Sequence, residues 1–120
     1  MSEPRRESEL HSEDAKLVTL ARSTRGRLAA PEGAAVRDDT GRTYVGVTVD
    51  LASLRLTALE AAVATAATSG ARSLEAAAIV TDTPGRPRTD LGPVRDLGGT
   101  GTPVHIARPD GTLDSTVTAG

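Results

Sequence analysis

Thr57, Glu60 three residues later, and an almost unbroken run of small apolar side chains up to Gly70 constrain this chain more than any other stretch. The Thr57–Glu60 spacing is that of a capping box. In it the threonine hydroxyl accepts from an orphan backbone N–H, and the glutamate reaches back to the N–H of the cap residue. Leu56, Leu59, Val63 and Ala66/Ala67 recur at helical spacing, and Gly70 stands where a left-handed C-terminal residue is expected. Residues 55–70 are therefore predicted to form one helix. Its alanine-rich surface allows whatever packs against it to come close.

Such a helix needs a layer to cover. In 120 residues there is room for one domain, and Tyr44 is the only aromatic residue, so the core has to be built from Ala, Val, Leu and Ile. Small side chains bury less apolar area each, which favours a subunit interface that completes the burial. A net charge of -2 with scattered arginines argues against a nucleic-acid or anionic-membrane partner. With no cysteine, neither a disulfide framework nor a thiolate metal site can form. No apolar run has the length of a signal peptide or a membrane span, so the cytoplasm is the expected location.

Residues 1–12 are polar, lack periodicity and are expected to be a disordered tail, leaving 13–120 as a single domain. Leu17, Leu20, Ala21 and Leu28 predict a first helix from Glu13 to about Ala29, with Ser12 or Asp14 as cap and Pro31 beyond its end. Strands are predicted over 33–38 and 42–49, joined as a hairpin through Asp39-Thr40-Gly41. Leu74–Thr81 is a near-continuous apolar run, the signature of a strand covered on both faces. One or two helical turns are expected around Val94–Leu97, then a last strand over Thr102–Ala107, a turn at Pro109-Asp110-Gly111 and a short tail. This order is that of an α/β layered domain, a mixed sheet with crossover helices packed on its faces.

Set in that order, Gly33-Ala34-Ala35-Val36, Asp39-Thr40-Gly41-Arg42-Thr43-Tyr44-Val45-Gly46, Leu56-Thr57, Asp82-Thr83-Pro84-Gly85 and Thr102-Pro103-Val104 together resemble the small cytidine deaminase family. The resemblance spans about Asp14 to Gly111, and the chain looks like a degenerate, actinobacterial-type member. It implies a three-layer cytidine deaminase-like fold, with helices on both faces of the sheet, and assembly as a homo-oligomer, either dimer or tetramer. The family pattern also adds a last helix beyond Val117.

The family's chemistry uses a zinc ion held by one Cys or His and a pair of Cys, with a non-ligand glutamate shuttling protons. Laid on this sequence, the family's T-x-C-A-E-R puts Leu59 at the first ligand, Ala61 at the proton shuttle and Ala62 at the arginine. Glu60 is one residue out of register. A step of one residue turns a helical side chain by about 100°, so Glu60 is expected to face away from the pocket, where the capping box already accounts for it. The second ligand pair falls on Arg88 and Leu91 when anchored at Pro87, or on Asp90 and Pro93 when anchored at Gly85. Neither pair completes a tetrahedral zinc site, so no cofactor is expected. The ribose-gripping asparagine and glutamate correspond to Thr48 and Asp50, and the base-packing phenylalanine to Ala30, which implies a wider pocket with a weaker grip.

His11 falls in the expected tail. His105 falls in the last strand, where a hydrogen-bonded core position and a surface position both fit. Ser53 has no histidine at triad spacing, and Gly98-Gly99-Thr100-Gly101 has no following helix and lysine to make a phosphate loop. The expected function is a catalytically inactive, homo-oligomeric binding or scaffold protein, with a small molecule as possible ligand. The alternatives are a nucleoside deaminase or other hydrolase with an atypical site using Asp50, Glu60 or Asp90, and a nucleoside-type small-molecule sensor.

Overall fold

A computed structural model describes residues 10–85 and 90–120. In chain order they form α1 (Ser12–Leu28), β1 (Glu32–Asp38), β2 (Thr43–Val47), β3 (Val49–Asp50), β4 (Arg55–Leu56), α2 (Ala58–Thr68), β5 (Leu74–Thr81), α3 (Gly92–Gly98), β6 (Pro103–Ala107) and β7 (Leu113–Thr118). Five strands make one mixed sheet in the order β2-β1-β5-β6-β7, and β3 and β4 form a separate two-stranded ribbon. Only β5 and β6 run parallel, joined by the crossover that contains α3.

Alternation along the strands divides the core into two layers. Ala35, Ala76, Ala78 and Val80 face α1, where Leu17, Val18 and Ala21 meet them. Ala34, Val36, Ala77, Ile79 and Val104 face the opposite way, onto α2 and Val94 of α3. The predicted three-layer architecture is the one found. Two strand glycines let the helices come this close. A Cβ on Gly33 would lie 2.2 Å from the Ala21 carbonyl oxygen of α1, and one on Gly46 would lie 2.4 Å from the Ala62 nitrogen of α2. The helices therefore press on opposite faces of adjacent strands through positions without a side chain.

The capping box is present: Glu60 N donates to Thr57 Oγ1 at 3.0 Å, and Thr57 N donates to Glu60 Oε1 at 2.8 Å. Gly70 follows with φ +92°, as its position after the helix requires. Four expectations need correction. Arg55 and Leu56 are not the start of α2, because pairing with Val49 and Asp50 holds them extended. The second strand ends at Val47, and Val49 belongs to the ribbon. The cap of α1 is His11 rather than Ser12 or Asp14, with His11 Nδ1 accepting from Glu13 N at 3.4 Å. The segment read as a C-terminal tail contains β7, ordered by its antiparallel ladder with β6. The expected tail over residues 1–12 lies outside the described residues up to residue 9, and Ser12 already belongs to α1.

Candidate functional site

A cavity of about 540 Å³ opens where β5 ends, beside the start of β1 and under the first turn of α2. Three local features build it. The carboxyl end of β5 delivers Thr81, Asp82 and Thr83 to its wall, and Thr81 pairs across the sheet with Glu32 at the start of β1. The β3–β4 ribbon forms a rim carrying Asp50 and Arg55, which pair at 3.3 Å while both side chains stay more than three-quarters exposed. An ion pair so exposed shapes the rim but adds little stability. The capping box aims the first turn of α2 at the cavity and presents Thr57, Leu59 and Glu60.

Of the positions singled out from the sequence, Thr48, Asp50, Leu59, Glu60 and Asp90 line this cavity. Ala30, Ala61 and Leu91 do not. Ala30 lies just past the end of α1, and its neighbour Pro31 takes the wall position. Ala61 is turned onto β2, where it sits against Gly46. Leu91 caps α3 and packs on the α2 side of the core. Arg88 lies outside the described residues. The expectation that Glu60 faces away from the cavity is corrected. The rotation argument holds within a helix, but in its first turn the capping carboxylate curls back toward the helix start, which here is the cavity wall.

Sequence reading missed Glu32, Thr81 and Asp82. The available signal was the end of the apolar run at Thr81, since crevices of open α/β sheets form outside the carboxyl ends of strands.

The polar groups of the cavity are hydroxyls, carboxylates and one guanidinium. Thr81 Oγ1 accepts from Thr83 N at 3.2 Å, and Asp90 Oδ1 accepts from Gly92 N at 3.1 Å. Thr48 Oγ1 is buried without a partner among the described residues. A lone buried hydroxyl has a desolvation cost that a bound ligand's polar group would relieve. Leu59, 3% exposed, fills the position that the family resemblance assigns to the first zinc ligand. Its side chain has no lone pair, Leu91 is a half-buried alkyl side chain packed against the core, and the remaining candidate, Asp90, already accepts a backbone bond. Among the described residues no three His, Cys, Asp or Glu side chains gather as a metal site. The described residues do not fit a tetrahedral zinc ion.

Two further polar clusters lie away from the cavity. Asp38 is 2% exposed, and its carboxylate accepts from Thr40 Oγ1 at 2.7 Å, Tyr44 Oη at 2.8 Å, Thr40 N at 2.9 Å and Arg42 N at 3.0 Å. The Thr40 hydroxyl foremost, then the Tyr44 hydroxyl and the two backbone donors, outweigh burial and hold its pKa down at about 2. On the α1 face, His105 is a core residue, 3% exposed. Its Nε2 lies 2.8 Å from Asp14 Oδ2 and its Nδ1 2.9 Å from Thr116 Oγ1. Arg37 Nη1 lies 2.9 Å from Asp14 Oδ1, and Arg37 Nε donates to Glu75 at 2.9 Å. Burial raises the Asp14 pKa, but the contacts from His105 and Arg37 lower it further, and the net shift is downward.

Comparison with known proteins places this geometry. The family model described as cytidine deaminase-like matches residues 10–111. The chain is similar to the cytidine deaminase from Burkholderia pseudomallei, at 25% identity over 88% of this chain and 91% of that one, with a TM-score of 0.71. It is similar to the cytidine deaminase from Mycobacterium leprae at 25% identity over 87% and 91%, TM-score 0.61. For the enzyme from Mycobacterium tuberculosis the identity is 26% over 81% and 85%, TM-score 0.58. A search of curated proteins returns no match. No described helix is long and apolar enough to cross a membrane.

Proposed function

The chain belongs to the cytidine deaminase-like family, and from that premise we propose that it is a non-catalytic member, a homo-oligomeric protein that keeps the fold's cavity for binding. One observation carries the reading. Leu59, an alkyl side chain, lies in the cavity wall at the position where deaminase chemistry requires a metal ligand. Ala61, at the proton-shuttle position, is turned onto β2 instead of into the cavity. Without a Lewis acid to lower the pKa of a water, and with alanine at the proton-shuttle position, the family's route to deamination lacks the groups that make its nucleophile and carry its proton. What remains is a recess of binding-site size with hydroxyls and carboxylates around its wall.

The test combines zinc content, cytidine and deoxycytidine turnover, and ligand-induced thermal shift on one untagged preparation. The reading expects no stoichiometric zinc and no product, with any nucleoside effect limited to a saturable rise in melting temperature. Stoichiometric zinc together with turnover overturns it.

A further inference from the structure

β6 buries a histidine that has no part in the cavity. Val104 faces α2, so alternation turns His105 to the α1 side, and the antiparallel register sets Thr116 of β7 beside it on the same face. The first turn of α1 brings Asp14 to the other end of the ring. The imidazole is therefore held at both nitrogens: Nε2 lies 2.8 Å from Asp14 Oδ2, and Nδ1 lies 2.9 Å from Thr116 Oγ1.

The partners decide where the protons sit. Burial works against a charge on Asp14, but the contacts from His105 and Arg37 outweigh it and keep the carboxyl ionised. A carboxylate can only accept. In the neutral imidazole Nε2 therefore carries the hydrogen and donates it to Asp14, which leaves the Nδ1 lone pair to accept from the Thr116 hydroxyl. Arg37 in turn donates to Glu75, so α1, β1, β5 and β7 each hold a part of the chain of bonds. Exposure changes sharply along it. His105 is 3% exposed, whereas Thr116 is an exposed residue. A shielded base beside an accessible hydroxyl, with a carboxylate fixing the tautomer of the base, has the order of a nucleophile, base and orienting group.

We infer that Asp14, His105 and Thr116 form a relay that makes the Thr116 hydroxyl an acceptor of acyl groups, with small activated acyl donors as its substrate class. Thr116 Oγ1 attacks the carbonyl carbon of the donor as its proton passes to His105 Nδ1. The bond from that carbon to the leaving group then breaks, the leaving group takes the proton from Nδ1, and an ester remains on Thr116. No oxidant or further reactant is needed. The imidazolium formed on the way lies against the Asp14 carboxylate, whose charge stabilises it. Asp14 is a positioning residue, and so is Arg37 behind it. Because Thr116 is exposed, a small donor such as an aryl ester reaches it directly.

The relay lies on the α1 side of the sheet and the cavity at the first turn of α2, so this inference goes beyond the binding reading and stands or falls apart from it. The test treats the full chain with p-nitrophenyl acetate, follows p-nitrophenolate release and locates the acetyl group by peptide mass spectrometry. Wild type should give a stoichiometric burst with the acetyl group on Thr116. Thr116→Val should abolish it, Thr116→Ser should keep it, and His105→Gln should slow it by about 100-fold or more. Asp14→Asn separates a relay from a structural bond. Its amide can donate to Nε2 and so move the ring hydrogen to Nδ1, which costs the burst while the hydrogen bond and the fold persist by circular dichroism. Acetyl groups only on other residues, at a rate unchanged in Thr116→Val, overturn the proposal, as does the absence of a burst. A burst of wild-type rate in Asp14→Asn or in folded His105→Gln overturns the relay as well.

Discussion

Replacing Gly46 with alanine tests the close approach on which the α2 layer and the cavity wall both depend. The added Cβ would lie 2.4 Å from the Ala62 nitrogen and 2.8 Å from both the carbonyl carbon and the Cβ of Ala61. Carbon contacts are comfortable at about 3.5 Å, so α2 must move off β2 by roughly 1 Å. Overpacking of this kind typically costs about 1–3 kcal/mol, and backbone pressed on backbone, with no side chain able to swing aside, puts Gly46→Ala near the upper end. With an m-value of about 1–1.5 kcal/mol/M in urea for a small domain, the midpoint should fall by about 2 M at constant m. Gly26→Ala is the internal control. Gly26 lies within α1 with nothing within 4 Å of its added Cβ, so that substitution should stabilise by about 0.5–1 kcal/mol. The reasoning fails if Gly46→Ala loses less than about 0.5 kcal/mol, because β2 and α2 would then have slack that the contact distances deny.

Asp38, with its pKa lowered to about 2, contributes stability that is complete above the ordinary carboxylate pKa and is lost as pH falls through about 2. Melting temperatures between pH 5 and 2 should therefore fall less steeply for Asp38→Asn than for wild type, and parallel curves would refute the assignment. Asp14→Ala leaves both His105 and Arg37 without their shared acceptor and should cost about 2 kcal/mol in urea unfolding, with Asp14→Asn recovering part of the loss. Thr57→Ala removes the hydroxyl that satisfies Glu60 N and should cost about 1 kcal/mol, most visibly as faster amide exchange in the first turn of α2.

What the sequence disclosed and what it hid separate along a physical line. Leu74–Thr81 could be read at its true ends because a strand buried on both faces from Ala76 onward has to be almost wholly apolar there. The capping box could be read because both its bonds are local. β7 was hidden because its residues look outward: a polar, half-bare strand has little apolar periodicity, and its order comes from β6, close in space but not signalled by its own composition. Arg55–Leu56 was misread for the same reason, since a helix-favouring stretch was held extended by partners five and seven residues back.

Of the positions named from the sequence, Thr48, Asp50, Leu59, Glu60 and Asp90 line the cavity, while Ala30, Ala61 and Leu91 do not. The error over Glu60 is instructive about chemistry. Its position at the wall would make it the natural candidate for a proton carrier, but its Oε1 already accepts from Thr57 N at 2.8 Å. Protonating that carboxylate weakens the charge-assisted bond that completes the helix start. A proton shuttle at Glu60 would therefore loosen the helix start at each turnover, whereas the family pattern assigns that task to the position now held by Ala61. The Glu60 carboxylate serves the fold, which supports reading this cavity as a binding recess.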